Sequence, residues 1–204
     1  TAKLATMFDV NSKSKNLNEM LVTRMLGIKG KMSNTEEFVK ANIVPKTIRI
    51  TSDGRIIESM SFPSFKYTEI VNQEWEESDL YEMFSTTKFM FAVFREYNGE
   101  YCFDKIKFWN MPYTLLDTVV KNVWEKTVKI VKEGNIVAEI KNGKRRTNFP
   151  GMRDNGICHV RPHGINSKDT FPLPTVDKVT GESKYTKHCF WLNNSFVISI
   201  IEGE

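Results

Sequence analysis

What the chain lacks narrows it first. No apolar run reaches the roughly 18 residues that a membrane-spanning helix requires, so no membrane partner is expected. Cysteine is scarce: Cys102, Cys158 and Cys189 are odd in number and never in CxxC spacing. That pattern points to neither a disulfide framework nor a zinc site, and leaves structural thiols in a reducing cytoplasm as the reading. There is no secretory leader and the first residue is Thr, so a cytoplasmic fragment of a longer protein is expected. Repeats and low-complexity tracts are missing. Neither charge sign dominates: 29 Lys and Arg stand against 25 Asp and Glu, a net +4. Such a balance is compatible with a nucleic-acid face without demanding one.

What remains is a globular composition, 40% hydrophobic and 12% aromatic over 204 residues, enough for a proper core. Residues 1–16 carry little pattern and read as a linker or flexible lead-in; residues 17–204 read as one domain. Apolar residues at helical spacing predict a helix over 17–26, stopped by Gly27, followed by a basic loop at Lys29, Gly30 and Lys31. Residues 36–40 predict a short helix with Ser33 or Asn34 as its N-cap and Glu36 and Glu37 complementing its dipole. A turn at Ala41 and Asn42 leads into a strand in which Thr47 and Arg49 alternate with Ile48 and Ile50. Ser52-Asp53-Gly54 predicts a hairpin turn with a return strand over 56–62. Residues 74–83 predict a helix. The apolar run at 88–95 predicts a buried central strand, paired with 101–109 across Asn98-Gly99. Pro112 opens the longest helix, 113–132, closed before Gly134.

Two blocks carry a resemblance. In the first, an acidic residue and Phe, seven residues, then Lys-Thr-Ile and a strand resemble the MutH family of GATC-directed nicking and type II restriction endonucleases. The resemblance implies an α/β (α+β), restriction-endonuclease-like fold, with a mixed and mostly antiparallel central sheet flanked by helices. It also implies a metal site built from an Asp, a Glu and a Lys. Those positions fall here on Glu37, Val44 and Lys46, and a further upstream acid falls at or near Thr23. Holding Mg²⁺ for phosphodiester hydrolysis takes adjacent carboxylates. Val44 offers none, and Pro45 is expected to disturb the strand that should present it. The expectation is a nuclease fold without a working nuclease site and without a cofactor of its own, Mg²⁺ belonging to the parent enzyme. Lys88 lies near the family's accessory Lys, or is simply a Lys at a strand start.

The second block is CHVRPHGINSK (158–168) and KHCFWLNNSFVISII (187–201). It resembles the family's DNA-reading segments. The resemblance assigns guanine reading to Arg161 and Pro162, places His163 where the family has Lys, and matches Lys168. Trp191 takes a Tyr position near the DNA, and Asn193 and Asn194 replace two Lys. Asn166 belongs to the same loop. An Arg fork suits guanine O6 and N7, and Asn suits adenine or phosphate. Core packing for Trp191 and a salt bridge for Arg161 remain open as readings of those residues alone. The cations of KNGKRR, notably Lys144, Arg145 and Arg146, are either a solvated turn or a phosphate clamp.

The expectation that follows is a DNA-binding, allosteric domain, catalytically silent, recognising double-stranded GATC. It resembles the C-terminal half of a two-copy restriction enzyme, and its partner would be the N-terminal catalytic domain of the same chain. Two rivals stand beside it: an active Mg²⁺-dependent endonuclease in which Glu58 or Glu69 replaces the missing acid, and a structural or oligomerisation domain. The first reading predicts that the fragment does not cut GATC plasmid in Mg²⁺, and that Val44→Glu alone does not restore cutting if Pro45 also misplaces the strand and the upstream acid near position 23 is absent. A plasmid-nicking assay checks this, and site-specific cleavage by the unmutated chain would overturn it.

Overall fold

The computed structural model describes residues 1–28, 30–57 and 59–203; Lys29 of the expected basic loop and Glu58, the proposed migrated acid, lie outside them. The elements run α1 (Ala2–Met7), α2 (Leu17–Met25), α3 (Glu36–Lys40), β1 (Ile43–Ile50), β2 (Met60–Phe65), α4 (Tyr67–Ile70), α5 (Asp79–Thr86), β3 (Lys88–Tyr97) and β4 (Glu100–Trp109). They continue with α6 (Tyr113–Leu115), a π-turn (Leu116–Val120), α7 (Lys121–Lys132), β5 (Val137–Lys141), β6 (Lys144–Thr147), β7 (Cys158–Pro162), β8 (Thr170–Pro172), β9 (Lys184–Thr186), β10 (His188–Leu192) and α8 (Asn194–Glu202). No described helix is long and apolar enough to cross a membrane.

The fold is mixed α/β with small sheets. Where one central sheet is expected there are two of three strands, β1-β3-β4 and β2-β10-β7, and two hairpins, β5-β6 and β8-β9. By packing, the chain groups into two compact units: residues 1–58, 86–110 and 198–204, and residues 59–85 and 111–197.

In the first unit β3 is central, parallel to β1 and antiparallel to β4. Asn98 and Gly99 turn the β3-β4 hairpin with φ of 52° and 78°, the type I′ geometry that this dipeptide favours. One face of β3 gives Met90, Ala92 and Phe94 to a core with Val22 and Met32; the other packs Phe89 and Phe91 against Trp109, with centroids 5.8 and 6.1 Å away. The 1–16 segment contains α1, and its Ala5 and Val10 are buried with Leu21 of α2. The N-cap of α3 is Thr35 rather than Ser33 or Asn34, which sit in a 3₁₀ turn.

Pro45 corrects one expectation, because β1 runs unbroken through it. The reason is parity. Ile57 and Arg55 bond Arg49 and Thr51 from the outer side of β1, so odd-numbered backbone groups face the sheet's edge and even-numbered ones face β3. Pro45 therefore lacks a donor only where no strand needs one. The 56–62 return strand is also corrected. Ile56 makes a single bridge to Ile50, and the chain then pairs as β2 with β10. Met60 and Phe62 alternate into the second unit's core, and their burial there outweighs a longer hairpin.

In the second unit the expected 74–83 helix is split by buried, extended Ser78, whose hydroxyl accepts from Tyr81 N–H and so caps α5. Helix 113–132 forms with a π-turn near its start; Leu116, Val120, Val123, Trp124, Thr127, Val128 and Val131 are buried while Leu115 and Val119 are half-buried. Gly134 closes it at φ +64°, and a Cβ there would lie 2.4 Å from the Val176 carbonyl oxygen. Gly27 after α2 has φ +71° and open space around it. Gly27→Ala should therefore cost about 1 kcal/mol, the conformational term alone. Gly134→Ala should cost about 3 kcal/mol or more, because backbone must also move. Urea melts of the two variants check the ratio; equal losses would contradict it.

Candidate nucleic-acid interface

The first block does not gather into a metal site. Glu37 lines a groove with Phe38, Ile43, Met90 and Ile106. Strand alternation sends the side chains of Val44 and Lys46 to the face opposite Ile43. Val44 supplies no ligand atom, and Thr23 is buried with its hydroxyl donating to the Glu19 carbonyl at 2.7 Å. Among the described residues no three His, Cys, Asp or Glu could hold a metal ion. The donor set at Glu37, Val44 and Lys46 therefore does not fit Mg²⁺, a hard cation that requires oxygens. Glu69 is exposed in α4 and paired with Lys66 at 2.7 Å. Lys88 is exposed at the start of β3, its N–H bonding the Asn42 carbonyl.

The second block does gather. β7 is buried over Cys158–Val160 and emerges at Arg161 and Pro162. Pro162 is tolerated because β7 is an edge strand. Antiparallel pairing sets Cys189 opposite Arg161 and Trp191 opposite His159, so the period of two brings Arg161, His163 and Trp191 to one side. The exposed Arg161 guanidinium lies 4.8 Å from the Trp191 ring centroid, and Trp191 Nε1 donates to the Arg161 carbonyl at 3.4 Å. The His163 ring meets the same indole edge-on at 5.4 Å. Arg161 has no ion-pair partner among the described residues. Trp191 is half-buried, so it is a platform for the guanidinium and not a core residue. Such a cation–π contact is worth about 0.5–1 kcal/mol at an exposed site and restricts where the guanidinium sits.

The loop after His163 is closed on itself. Asn166 Oδ1 accepts from Lys168 N–H at 2.9 Å, Ile165 N–H donates to Asp169 at 3.1 Å, and Lys187 pairs with Asp169 at 2.6 Å. Asn166 and Lys168 are thus presented at the surface on a fixed turn. Asn193 is elsewhere. It is 1% exposed, its Oδ1 bonds His159 Nδ1 at 2.5 Å, and its Nδ2 donates to the Met152 carbonyl at 2.8 Å. Its amide fastens β7 to the start of α8, and its place on the DNA surface is corrected accordingly. Asn194 is half-buried as the first residue of α8.

The basic turn is a type I′ hairpin at Asn142-Gly143. Lys144 projects to solvent, but both arginines have internal partners. Arg145 is held by both Glu182 oxygens at 2.6 Å, and Arg146 pairs with Glu139 across the hairpin at 3.1 Å. Sequence reasoning missed Glu182, Tyr185 and Asp177. Asp177 is fully buried; its carboxylate accepts from Val137 N–H at 2.8 Å and from Thr180 N–H at 2.9 Å. Burial pushes Asp177 up, yet these bonds outweigh it and hold the carboxyl below its usual range. The signal available was Asp177 with Thr180-Gly181, a turn signature.

Comparison with known proteins gives the class first: over nearly its whole length this chain is similar to a type II restriction enzyme. The relative is type II restriction enzyme Sau3AI of Staphylococcus aureus, 34% identical over 233 aligned residues covering 98% of this chain and 47% of the relative. The chain thus spans about half the length of the curated relative it matches. No protein-family model matches it.

Two buried histidines set a pH dependence. Burial lowers the pKa of His188 to about 4, although the Thr186 carbonyl at 2.7 Å from Nδ1 opposes this. Burial also lowers His159, against the bond to Asn193, and the Arg161 charge adds to the lowering. Both folded values lie below the unfolded one, so between about pH 6.5 and 4 the unfolded chain binds more protons and stability is lost as the pH drops. His188 should account for about 3 kcal/mol of that loss. Urea melts at pH 7.5 and 4.5 check it. His188→Gln should flatten much of the difference, leaving a His159 remainder; an unchanged difference would contradict the assignment.

Proposed function

We propose that the chain is a duplex-DNA-binding domain of a type II restriction enzyme, recognising GATC and acting as an allosteric effector of a catalytic half elsewhere in the same cytoplasmic protein. The observation that carries this is Arg161: a guanidinium exposed, unpaired among the described residues and placed over the Trp191 ring. It stands at the point where β7 leaves the core and beside His163. A planar fork in fixed orientation is what bidentate recognition of guanine needs, and Lys cannot replace it. The similarity to a restriction enzyme over 98% of the chain supports the class of partner. The donor set at Glu37, Val44 and Lys46 supports silence in cutting, with Mg²⁺ serving the other half. On this reading GATC binding favours the conformation in which the catalytic half is competent, the differential affinity that allosteric coupling requires.

The test is Arg161→Ala with folding verified by thermal melting. The change should cost about 1–3 kcal/mol on GATC duplex and far less on a scrambled duplex. In the full-length enzyme it should slow cleavage although the cutting residues are untouched. Equal losses on both duplexes would reduce Arg161 to a phosphate contact, and no loss on either would remove the reading.

A further inference from the structure

The Arg145–Glu182 pair sits in a groove whose other charged residues are Lys168 and Lys184. Three cations thus face one carboxylate, and that carboxylate is committed to Arg145. Neither lysine enters an ion pair among the described residues. The Arg145 guanidinium is fixed from two sides: Glu182 grips it end-on with both oxygens at 2.6 Å, and the Tyr185 ring centroid lies 5.8 Å away. Tyr185 is itself buried and stacks on His188 at 5.5 Å, so the cation rests on an anchored ring. Gly143 and Gly181 leave the groove open at its rim.

A carboxylate offers a guanidinium two coplanar oxygens and one negative charge, and the two non-bridging oxygens of a phosphodiester offer the same. Both members of the pair are partly exposed, at 38% and 42%, so solvent screens their attraction and exchange of one oxyanion for another is inexpensive. We propose that this groove is a subsite for a phosphodiester of the duplex backbone, with Lys168 and Lys184 flanking it and Glu182 occupying Arg145 until a backbone phosphate takes its place. The proposal rests on the DNA-binding reading above and adds to it a masked cation and a carboxylate that masks it.

Anisotropy titrations of GATC and scrambled duplexes between 50 and 200 mM salt test this on the same chain, with thermal melting as the folding control. Glu182→Gln should tighten both duplexes about three- to tenfold at low salt, because the phosphate no longer has to displace a carboxylate from Arg145. Lys184→Ala, at an exposed position outside the pair, should weaken both and flatten the slope by about 0.9. Inorganic phosphate at matched ionic strength should not displace the duplex. Displacement would make this a free-anion site and overturn the backbone assignment. Unchanged or weakened affinity in folded Glu182→Gln would show the pair to be structural and overturn the inference, while an intact Arg161 discrimination would leave the DNA-binding reading standing. No binding of either duplex would overturn both.

Discussion

The pairing of residues 158–162 with 188–192 is the constraint on which the second unit's surface depends. β10 is central, with β2 on one side and β7 on the other, so its register cannot slip without unpairing two strands. A one-residue slip would also turn every side chain to the wrong face. Arg161 and Trp191 would then part. The His159–Asn193 hydrogen bond fastens the same register a second time, from the side, and does so inside the core where an unmet amide is costly. The placement of an exposed arginine over its ring is thus decided by polar groups that never meet solvent.

A second layer of control lies in long-range carboxylates. Asp177 ties the first residue of β5 to the 177–180 turn, and Glu182 ties the following strand to the 144–147 strand through Arg145. The two acids lie five residues apart and act on one hairpin. The buried one is a structural fixture stabilised by several N–H donors. The exposed one is a weak contact in high dielectric. Burial, not residue type, separates the roles.

Much of this was legible in the sequence wherever the determinant is local. Asn98-Gly99, the 36–40 helix, the 88–95 strand and the extent of the 113–132 helix follow from turn chemistry and periodicity, and all form. The strand that carries Arg161 to the surface was legible because an apolar run ends at an Arg-Pro pair. What was not legible depends on partners distant in sequence. The choice of β10 over β1 as the neighbour of β2 is made by core packing across more than a hundred residues. Asn193 reads as an exposed polar residue because nothing near it announces His159 and Met152. Arg145 and Arg146 read as loose cations because Glu182 and Glu139 come from elsewhere in the chain or across the turn. Pro45 misled for a subtler reason: its effect depends on which side of the strand its nitrogen faces, and sequence carries no sign of that.

Pro45 has a meaning apart from the missing acid. A strand at the border of a sheet offers unspent donors and acceptors to any extended chain that drifts alongside. On β1 the outward-facing series includes position 45, where the ring removes the donor, and Ile56 and Ile57 already cover the strand's far end. The border is thereby interrupted at one end and occupied at the other. A neighbouring molecule seeking to extend the sheet at β1 would find too few consecutive hydrogen bonds to hold it, which keeps separate copies from zipping together along this border.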